Sequence, residues 1–498
     1  MPSLDRAAID PDADRVVRKL TRAGYKAYLV GGCVRDLLVG KKPKDFDIAT
    51  SATPNEVKAT FRNSRIIGRR FRLAHVFFGS KIIETATFRA NPKDEDDHDL
   101  LIRRDNVFGT ETEDARRRDF TINGLFYDVE KEEVIDHVNG LADLEAKLVR
   151  TIGDPDIRFQ EDPVRMLRAI KFAARLDFGF EPKTWQALLR WRGEVSKCAP
   201  PRLLEEMHRL MRGGAARRSF ELLVETGVLE ILSPFLAGLL EGPGAPASAP
   251  SVATMAGPST IARLDYEDED PAEHDPDDPE EPIEPDDEDA DEDADEGDGP
   301  LDPEEQSWRR VWANEPVARA APRPIVGATA VRLSFLGTAA LLQEHRRRAW
   351  AALPALDATI AAGRDPSNAV AFGTLIAPFL PDELRGGELN KAIEEISFPL
   401  IAQLHVTRRD SERLRYLLIA QRKLTAARRK SAVAELAGGR ELLEDAVVLY
   451  EILERAVGNA VGETPEITQA EGKDDDDTET GPDGQPKRRR RRRGGRRR

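Results

Sequence analysis

The sequence predicts an α/β (α+β) head with a mixed β-sheet, followed by all-α neck and body regions and two disordered segments. Up to residue 140, short apolar stretches rich in β-branched and aromatic residues alternate with helical patterns, which is typical of a mixed sheet with covering helices. After residue 141 the apolar residues recur at helical spacing. A chain of 498 residues is long enough for several domains of about 100–200 residues each.

Local signals define the elements of the head. Residues 13–23 form a predicted helix that ends at a glycine. Residues 53–56 have the Thr-Pro-Asn-Glu sequence of a capping box, which predicts a helix to about residue 61. Stretches 73–78 and 81–88 are separated by a Gly-Ser pair, which indicates a hairpin. The other predicted head elements are strands over 25–30, 46–49 and 134–138, the last at a sheet edge, and a helix over 34–39.

The helical part begins with a strongly periodic helix. Asp162 precedes Pro163, and this pair predicts a helix to about residue 176 with Asp162 as its N-cap. Helical patterning continues through 220–232 and resumes over about 328–457. These changes in pattern divide the chain into five regions, 1–140, 141–241, 242–315, 316–460 and 461–498.

The charge is distributed unevenly along the chain. The formal net charge is −15, but residues 265–305 contain 25 acidic residues and no Lys or Arg. The rest of the chain carries 75 basic and 65 acidic residues, and ten of its last twelve residues are Lys or Arg. A basic chain with an acidic insert indicates a polyanionic partner. The acidic stretch within 242–315 and the polar tail 461–498 are predicted to be disordered.

Composition excludes several classes of protein. The two cysteines, Cys33 and Cys198, form no Cys-x-x-Cys pair, which argues against a disulfide scaffold or a thiolate zinc site. The first residues do not have the pattern of a signal peptide, and no run of about 18 apolar residues indicates a membrane span. We therefore expect a protein of the reducing cytoplasm.

The strongest chemical signal is a glycine pair followed by two aspartates. Gly31 and Gly32 come before Arg35, and Asp45 and Asp47 follow. Two aspartates two apart in a strand point to one face, where their oxygens can share Mg²⁺ ions. The glycine turn opens a helix and can seat a triphosphate. Arg35 either adds charge there or pairs with the neighbouring aspartate, and an isolated Asp-x-Asp pair is usually only solvated.

Further motifs carry a resemblance to a known family. Residues 117–123 read Arg-Arg-Asp-Phe-Thr-Ile-Asn, and residues 161–168 read Glu-Asp-Pro-Val-Arg-Met-Leu-Arg. Together with the glycine–aspartate pattern, they resemble the nucleotidyltransferase superfamily of polymerase-β type. Within this superfamily, they resemble more specifically the class II branch, which contains bacterial transfer-RNA CCA-adding enzymes and bacterial poly(A) polymerases.

The resemblance implies roles for particular residues. It implies that Arg118 and Asp119 lie near the nucleotide sugar, and that Asp162 and Arg165 contact the incoming base. Adenine and cytosine share the donor–acceptor edge that such a pair reads, so the pair by itself does not separate A from C. The basic stripe continues with Arg168 and Lys171, which are further nucleotide-binding candidates. A turn motif over 136–144 joins the head to the neck.

The third carboxylate of the catalytic group has two candidates. Glu84 lies on a strand expected to pair beside the Asp45 strand, and it is a candidate metal ligand with Asp45 and Asp47. Asp119 is the alternative. For Glu84, an outward-facing position on an edge strand is an equally simple interpretation.

The stretch 68–79 indicates the branch of the family. It contains Arg69, Arg70 and Arg72 before an Ala-His-Val sequence, and it resembles the variant found in bacterial poly(A) polymerases. The three arginines could hold an RNA backbone, whereas His75 is better explained as a packed residue than as an acid or base. The Arg-rich tail is similar to tails of the same branch.

The function implied by the resemblance is template-independent addition of AMP from ATP to RNA 3′ ends, with Mg²⁺ as cofactor and release of pyrophosphate. The expected partners are RNA 3′ ends, ATP and RNA-decay proteins, because added tails would mark RNA for decay. Transfer-RNA CCA addition and an RNA-binding adaptor with an inactive head are the alternatives. In this interpretation residues 1–140 are a catalytic head, 141–241 a base-reading neck, 242–315 an acidic insert, 316–460 an RNA-binding body and 461–498 a tail.

Overall fold

The structure is a computed structural model that describes residues 4–68, 72–90, 108–242, 333–336, 338–430, 433–459, 465 and 467–469. All of these residues belong to one compact unit. In this part of the chain, no helix combines the length and apolar character that crossing a membrane requires. Arg69, Arg70, nearly all of the acidic insert and the Arg-rich tail lie outside the described residues.

The described part of the head contains a seven-stranded mixed sheet. The strand order is β3-β4-β5-β2-β1-β6-β7, in which β2 and β5 are parallel and the other neighbours are antiparallel. The predicted mixed sheet is therefore confirmed. Its strands are β1 Ala27–Val30, β2 Asp47–Thr50, β3 Ser64–Ile67, β4 Leu73–Phe78, β5 Lys81–Thr87, β6 Leu125–Asp128 and β7 Glu133–Asp136.

The prediction missed two strands, β3 and β6. β3 is short and lies at the edge of the sheet, and its residues are alternately half-buried and exposed. All four residues of β6 are buried, so the chain shows no alternation there. The predicted hairpin β4–β5 and the predicted edge strand β7 are present.

Helices cover one face of the sheet along most of its width, and Ala115, from a further helix, packs with Ala49 on the other face. The predicted capping box is present, because the Thr53 hydroxyl accepts from the Glu56 N–H and the Glu56 carboxylate accepts from the Thr53 N–H. Ile48 and Val76, from the covered face, belong to the same apolar cluster as Val57 of the capped helix. The head helices are α1 Pro11–Arg22, α2 Gly32–Leu38, α3 Pro54–Thr60, α4 Glu111–Arg116 and α5 Gly140–Glu145.

The neck and body are helical, apart from short two-stranded pairings, and share one apolar core. Phe220 of the neck and Phe372 of the body are both buried in that cluster. The neck helices are α6 Pro155–Glu161, α7 Val164–Leu176, α8 Pro182–Trp191, α9 Pro200–Arg212, α10 Ala216–Glu225, α11 Val228–Leu232 and α12 Pro234–Leu240. The body helices are α13 Ala339–Ala361, α14 Asn368–Ile376, α15 Gly386–Leu404, α16 Arg408–Arg429 and α17 Arg440–Ala456.

The prediction that Asp162 caps α7 is wrong. Pro163 occupies the N-cap position and provides no side-chain hydrogen bond, while Asp162 ends the preceding helix α6. Asp154 is the capping aspartate of this region, and its carboxylate accepts from the Asp156 N–H at 2.9 Å. The Asp162 carboxylate is therefore available for other contacts.

Candidate active site

Asp47 and Glu84 lie side by side on neighbouring strands. β2 and β5 are parallel, with Ile48 opposite Thr85, so the residues one position earlier are also adjacent. Both side chains therefore point to the same face of the sheet, the one opposite the covered face. The prediction that Asp45 lies in the same strand as Asp47 is wrong, because β2 begins at Asp47 and Asp45 lies in the loop before it. Strand alternation therefore does not set the direction of the Asp45 side chain.

The three carboxylates interact electrostatically. Burial among surrounding protein atoms and the nearby carboxylates of Glu84 and Asp45 raise the pKa of Asp47 to about 6, although Arg118 opposes the shift. The Asp47 side chain is nevertheless exposed to solvent. The carboxylates of Asp45, Asp47 and Glu84 together concentrate negative charge, and we call this acidic cluster the recess.

The donor set of the recess fits a hard divalent cation. Asp45, Asp47 and Glu84 offer only carboxylate oxygens, the ligands that Mg²⁺ takes. Among the described residues, no three side chains already form a closed metal-binding group. Mg²⁺ commonly uses one or two carboxylates and keeps several waters, so it does not need such a group.

Asp119 does not belong to this recess. Its Oδ1 accepts from the Phe120 N–H and the Asn123 side chain, and its Oδ2 accepts from Arg168 at 2.7 Å. Burial alone would raise the pKa of Asp119, but Arg168 and these hydrogen bonds lower it to about 2. Because Asp119 is already paired, these contacts favour Glu84 as the third carboxylate.

The glycine turn brings Arg118 close to the backbone. Gly31 has a φ of 72°, and a Cβ atom there would lie 2.9 Å from Nη1 of Arg118. The Gly31 N–H donates to the Leu125 carbonyl at 2.9 Å, and α2 begins at Gly32. Glycine is needed at position 31 both for this φ and for the close approach.

Arg35 is buried and fully engaged by protein groups. Its guanidinium donates to Asp36 at 2.9 and 2.6 Å and to the Asn123 side chain, and it lies 4.9 Å from the centre of the Phe172 ring. Of the two interpretations of Arg35, these contacts favour the one in which it pairs with Asp36. Its contact with a triphosphate stays a prediction.

Asp114 is a residue that the sequence analysis missed. It is 2% exposed and accepts from Arg117 at 3.0 Å and from Arg118 at 2.8 Å. These pairs are three and four residues apart at the end of α4, a spacing visible in the sequence. Asp114 therefore orients Arg118 toward the turn and the recess.

Arg158 supports the same segment from the neck. Its Nη2 donates to the carbonyls of Arg117 and Arg118 at 2.7 and 2.6 Å. Its Nη1 donates to Glu161, which also accepts from Arg165 at 2.7 Å. Nothing local in the sequence signals these contacts, because Arg158 lies some forty positions from the two carbonyls.

The predicted base-reading residues have defined partners. Asp162 accepts from Arg202 of α9 at 2.9 Å through Oδ2, while its Oδ1 is buried without a hydrogen bond within the described part of the chain. Arg165 is buried and held by Glu161 and by the Arg158 carbonyl. Asp162 thus keeps one acceptor atom unused.

Lys171 faces Glu206 of α9 at 2.7 Å. Burial and the neighbouring Arg168 lower the pKa of Lys171 to about 8, although Glu206 opposes the shift. Glu206 itself is buried and also accepts from Arg209 at 2.8 Å. The basic stripe on α7 is therefore anchored by an acidic residue of the next long helix.

Buried and partly buried polar contacts connect the head to the neck. Arg175 of α7 donates to Asp36 at 2.9 Å, and Arg168 of the same helix binds Asp119. Asn123 links Asp119 to Arg35. These contacts fix α7, which carries the base-reading candidate Arg165, next to the turn at Gly31.

Comparison with protein families covers the head and part of the neck. The model described as "Poly A polymerase head domain" matches residues 27–150, and the one described as "Probable RNA and SrmB- binding site of polymerase A" matches residues 177–240. Over these residues the chain is similar to the class II nucleotidyltransferase family. The resemblance found in the sequence motifs is thereby confirmed.

Individual relatives come from both branches of this family. Poly(A) polymerase I of Salmonella typhi is 47% identical over 240 residues, which are 47% of this chain and 52% of that protein. CCA-adding enzyme of Lactobacillus delbrueckii subsp. bulgaricus is 40% identical over 225 residues, 45% of this chain and 55% of that protein. The chain spans about half the length of the curated relatives it matches.

Among solved structures, the CCA-adding enzyme of Bacillus stearothermophilus in complex with CTP has a similar fold. The match covers 91% of this chain and 80% of that one, with a TM-score of 0.52 and 21% identity. At this identity the likeness extends to the fold only. It supports the arrangement of a mixed-sheet head followed by a helical region.

Proposed function

We propose that this nucleotidyltransferase adds AMP from ATP to RNA 3′ ends without a template and releases pyrophosphate. The observation that carries the proposal is the recess in which Asp45, Asp47 and Glu84 share negative charge beside Arg118. The preference for ATP is supported by the identity to Poly(A) polymerase I, which exceeds that to the CCA-adding enzymes.

Each side chain of the recess has a role in this proposal. Asp45 and Asp47 hold Mg²⁺, with Glu84 completing the charge. When bound, the metal ions favour deprotonation of the RNA 3′-hydroxyl and stabilise charge on the departing pyrophosphate. Arg118, oriented by Asp114, offers its guanidinium to the phosphates or to the sugar. The glycine turn at Gly31 allows the triphosphate to approach the backbone.

The base is read in the neck. The unused Oδ1 of Asp162 accepts from the exocyclic amino group, and Arg165 donates to the adjacent ring nitrogen. Adenine and cytosine both present this edge, whereas guanine and uracil do not. The pair therefore excludes two of the four bases, and the choice between the other two requires a fixed geometry of the pair.

An extension assay with a short generic RNA and each nucleotide separately tests the proposal. We expect a long ladder with ATP and Mg²⁺, little extension with CTP, and none with GTP or UTP. The Arg190→Ala variant is a control, because this exposed arginine pairs with Asp156 away from the proposed reading pair. Absence of incorporation by the folded chain with any nucleotide would revive the adaptor hypothesis.

Transfer-RNA CCA addition is the second candidate. It is favoured by the 40% identical CCA-adding relatives. Addition of two C and one A to a transfer RNA lacking its end, with no ladder on generic RNA, would establish this alternative.

The proposal extends to RNA decay. A single-stranded adenosine tail gives an exonuclease a site at which to begin, so tailed RNAs are expected to be degraded sooner. Half-lives of structured RNAs in cells with and without the gene test this step. Equal half-lives would limit the function to tail addition.

A further inference from the structure

One face of the outer strands β3, β4 and β5 is open to solvent. The strand pairings and side-chain alternation place a set of residues on it, which we call the outer sheet face: Arg65, Ile67, Leu73, His75, Phe77 and Ile82. Ile67 and Ile82 are 40% and 45% exposed. On the opposite face, Val76 and Ile83 are buried in the cluster that includes the helices.

The outer sheet face is continuous with the acidic recess. Arg65 is opposite His75, His75 is opposite Glu84, and Glu84 lies beside Asp47. These four residues occupy one line across four neighbouring strands. Since strands are about 4.8 Å apart, the line runs from the recess to the sheet edge over about 14 Å.

The chemistry of this face matches single-stranded RNA. The rings of His75 and Phe77 are 6.4 Å apart, and exposed isoleucines flank them. Arg65 is exposed and forms no ion pair within the described residues, so its charge is available for a phosphate. Sheet faces that combine rings with basic residues bind about two or three bases by stacking.

We infer that the outer sheet face holds the last nucleotides of the RNA primer and directs its 3′ end into the recess at Asp47. This inference rests on the proposed function, because it assigns a path to the RNA of that reaction. Continuity with the carboxylates favours RNA over a protein partner, which would not need the line to end at the recess. The face is thus a primer site, separate from the base-reading pair on the neck.

Kinetics of variants that place a negative charge on the outer sheet face test the primer site. We expect Arg65→Glu and Ile67→Asp each to raise the KM for a short RNA primer about tenfold, with the KM for ATP unchanged. Lys58→Glu is the matched control, because Lys58 is an exposed cation on α3, the helix whose Val57 joins the apolar cluster of the opposite face. Equal primer KM values for Arg65→Glu and Lys58→Glu would overturn the inference.

Crosslinking of the unmodified full chain gives a second test that does not depend on variants. A primer with 4-thiouridine as its penultimate nucleotide is irradiated with the protein, without ATP, and the crosslinked peptides are identified. We expect peptides containing 64–67 or 73–78. Crosslinks confined to the neck or body would overturn the primer site. If the crosslinks are confined there and AMP is still incorporated, only the primer site is wrong and the proposed function stands. Absence of AMP incorporation would count against the proposed function itself, whatever the crosslinks show.

Discussion

Arg202 of α9 holds one oxygen of Asp162 at 2.9 Å and leaves the other oxygen buried and unpartnered. The carboxylate is therefore oriented by a residue forty positions away, on another helix. Under the proposed function Arg202 is a positioning residue, because it sets where the proposed acceptor for the base amino group lies. Under the proposed function, selection between adenine and cytosine requires the Asp162 carboxylate to be held in one position.

Replacement of Arg202 is expected to weaken ATP selection rather than the fold. Arg202→Ala should raise the KM for ATP about tenfold and increase CTP incorporation relative to ATP, because the Asp162 carboxylate becomes free to rotate. Arg202→Lys should restore part of the ATP preference. An unchanged ratio of CTP to ATP incorporation in Arg202→Ala, compared with the Arg190→Ala control, would contradict the positioning role.

Asp114 is expected to stabilise the folded chain through its two arginine partners. Asp114→Asn removes a buried charge that pairs with Arg117 and Arg118, so we expect the free energy of unfolding to fall by about 3–5 kcal/mol. Urea unfolding measures this change. Glu111→Gln on the same helix is the control, since its partner Lys26 is exposed and the pair should contribute below about 1 kcal/mol. Equal losses in the two variants would contradict the role of Asp114.

Lys171 should give the stability a pH dependence above neutrality. Its pKa is lowered to about 8 in the folded chain by burial and Arg168, whereas an unfolded lysine keeps its ordinary, higher pKa. Between these two values the unfolded state binds more protons, so the free energy of unfolding should rise with pH.

Titration of Lys171 is expected to raise the free energy of unfolding by about 2 kcal/mol between pH 8 and pH 10. The Lys171→Met variant should lack this contribution. Lys183→Met is the control, because Lys183 is exposed on the neighbouring helix α8. Urea unfolding at several pH values checks the slope. Parallel curves for the wild type and Lys171→Met would show that Lys171 titrates normally.

Local sequence signals correctly predicted the elements that are specified by residues close together in the chain. The capping box at Thr53 and the hairpin joining 73–78 to 81–87 formed as expected, because the residues that specify them are adjacent in the chain. Asp162 shows the limit of such signals. It has the residue type of a cap before a proline, yet Pro163 takes the N-cap position and the carboxylate pairs with Arg202.

Contacts between distant segments could not be read from the sequence. The choice between Glu84 and Asp119 depends on strand register and on a salt bridge to the neck, which no local pattern encodes. Arg158 and Arg202 were missed for the same reason. The motifs therefore identified most candidate residues, whereas the structure identified the residues that orient them.

The proposed function requires the carboxylates of the recess to act together on Mg²⁺ at an RNA 3′ end. The most direct measurement compares single-turnover AMP incorporation by the wild type, Asp47→Asn and Glu84→Gln at saturating ATP and RNA. We expect Asp47→Asn to lose at least about 100-fold in rate, because a charged oxygen ligand is lost, while its thermal stability is kept. Glu84→Gln should lose less. Incorporation by Asp47→Asn at the wild-type rate would contradict the proposed function.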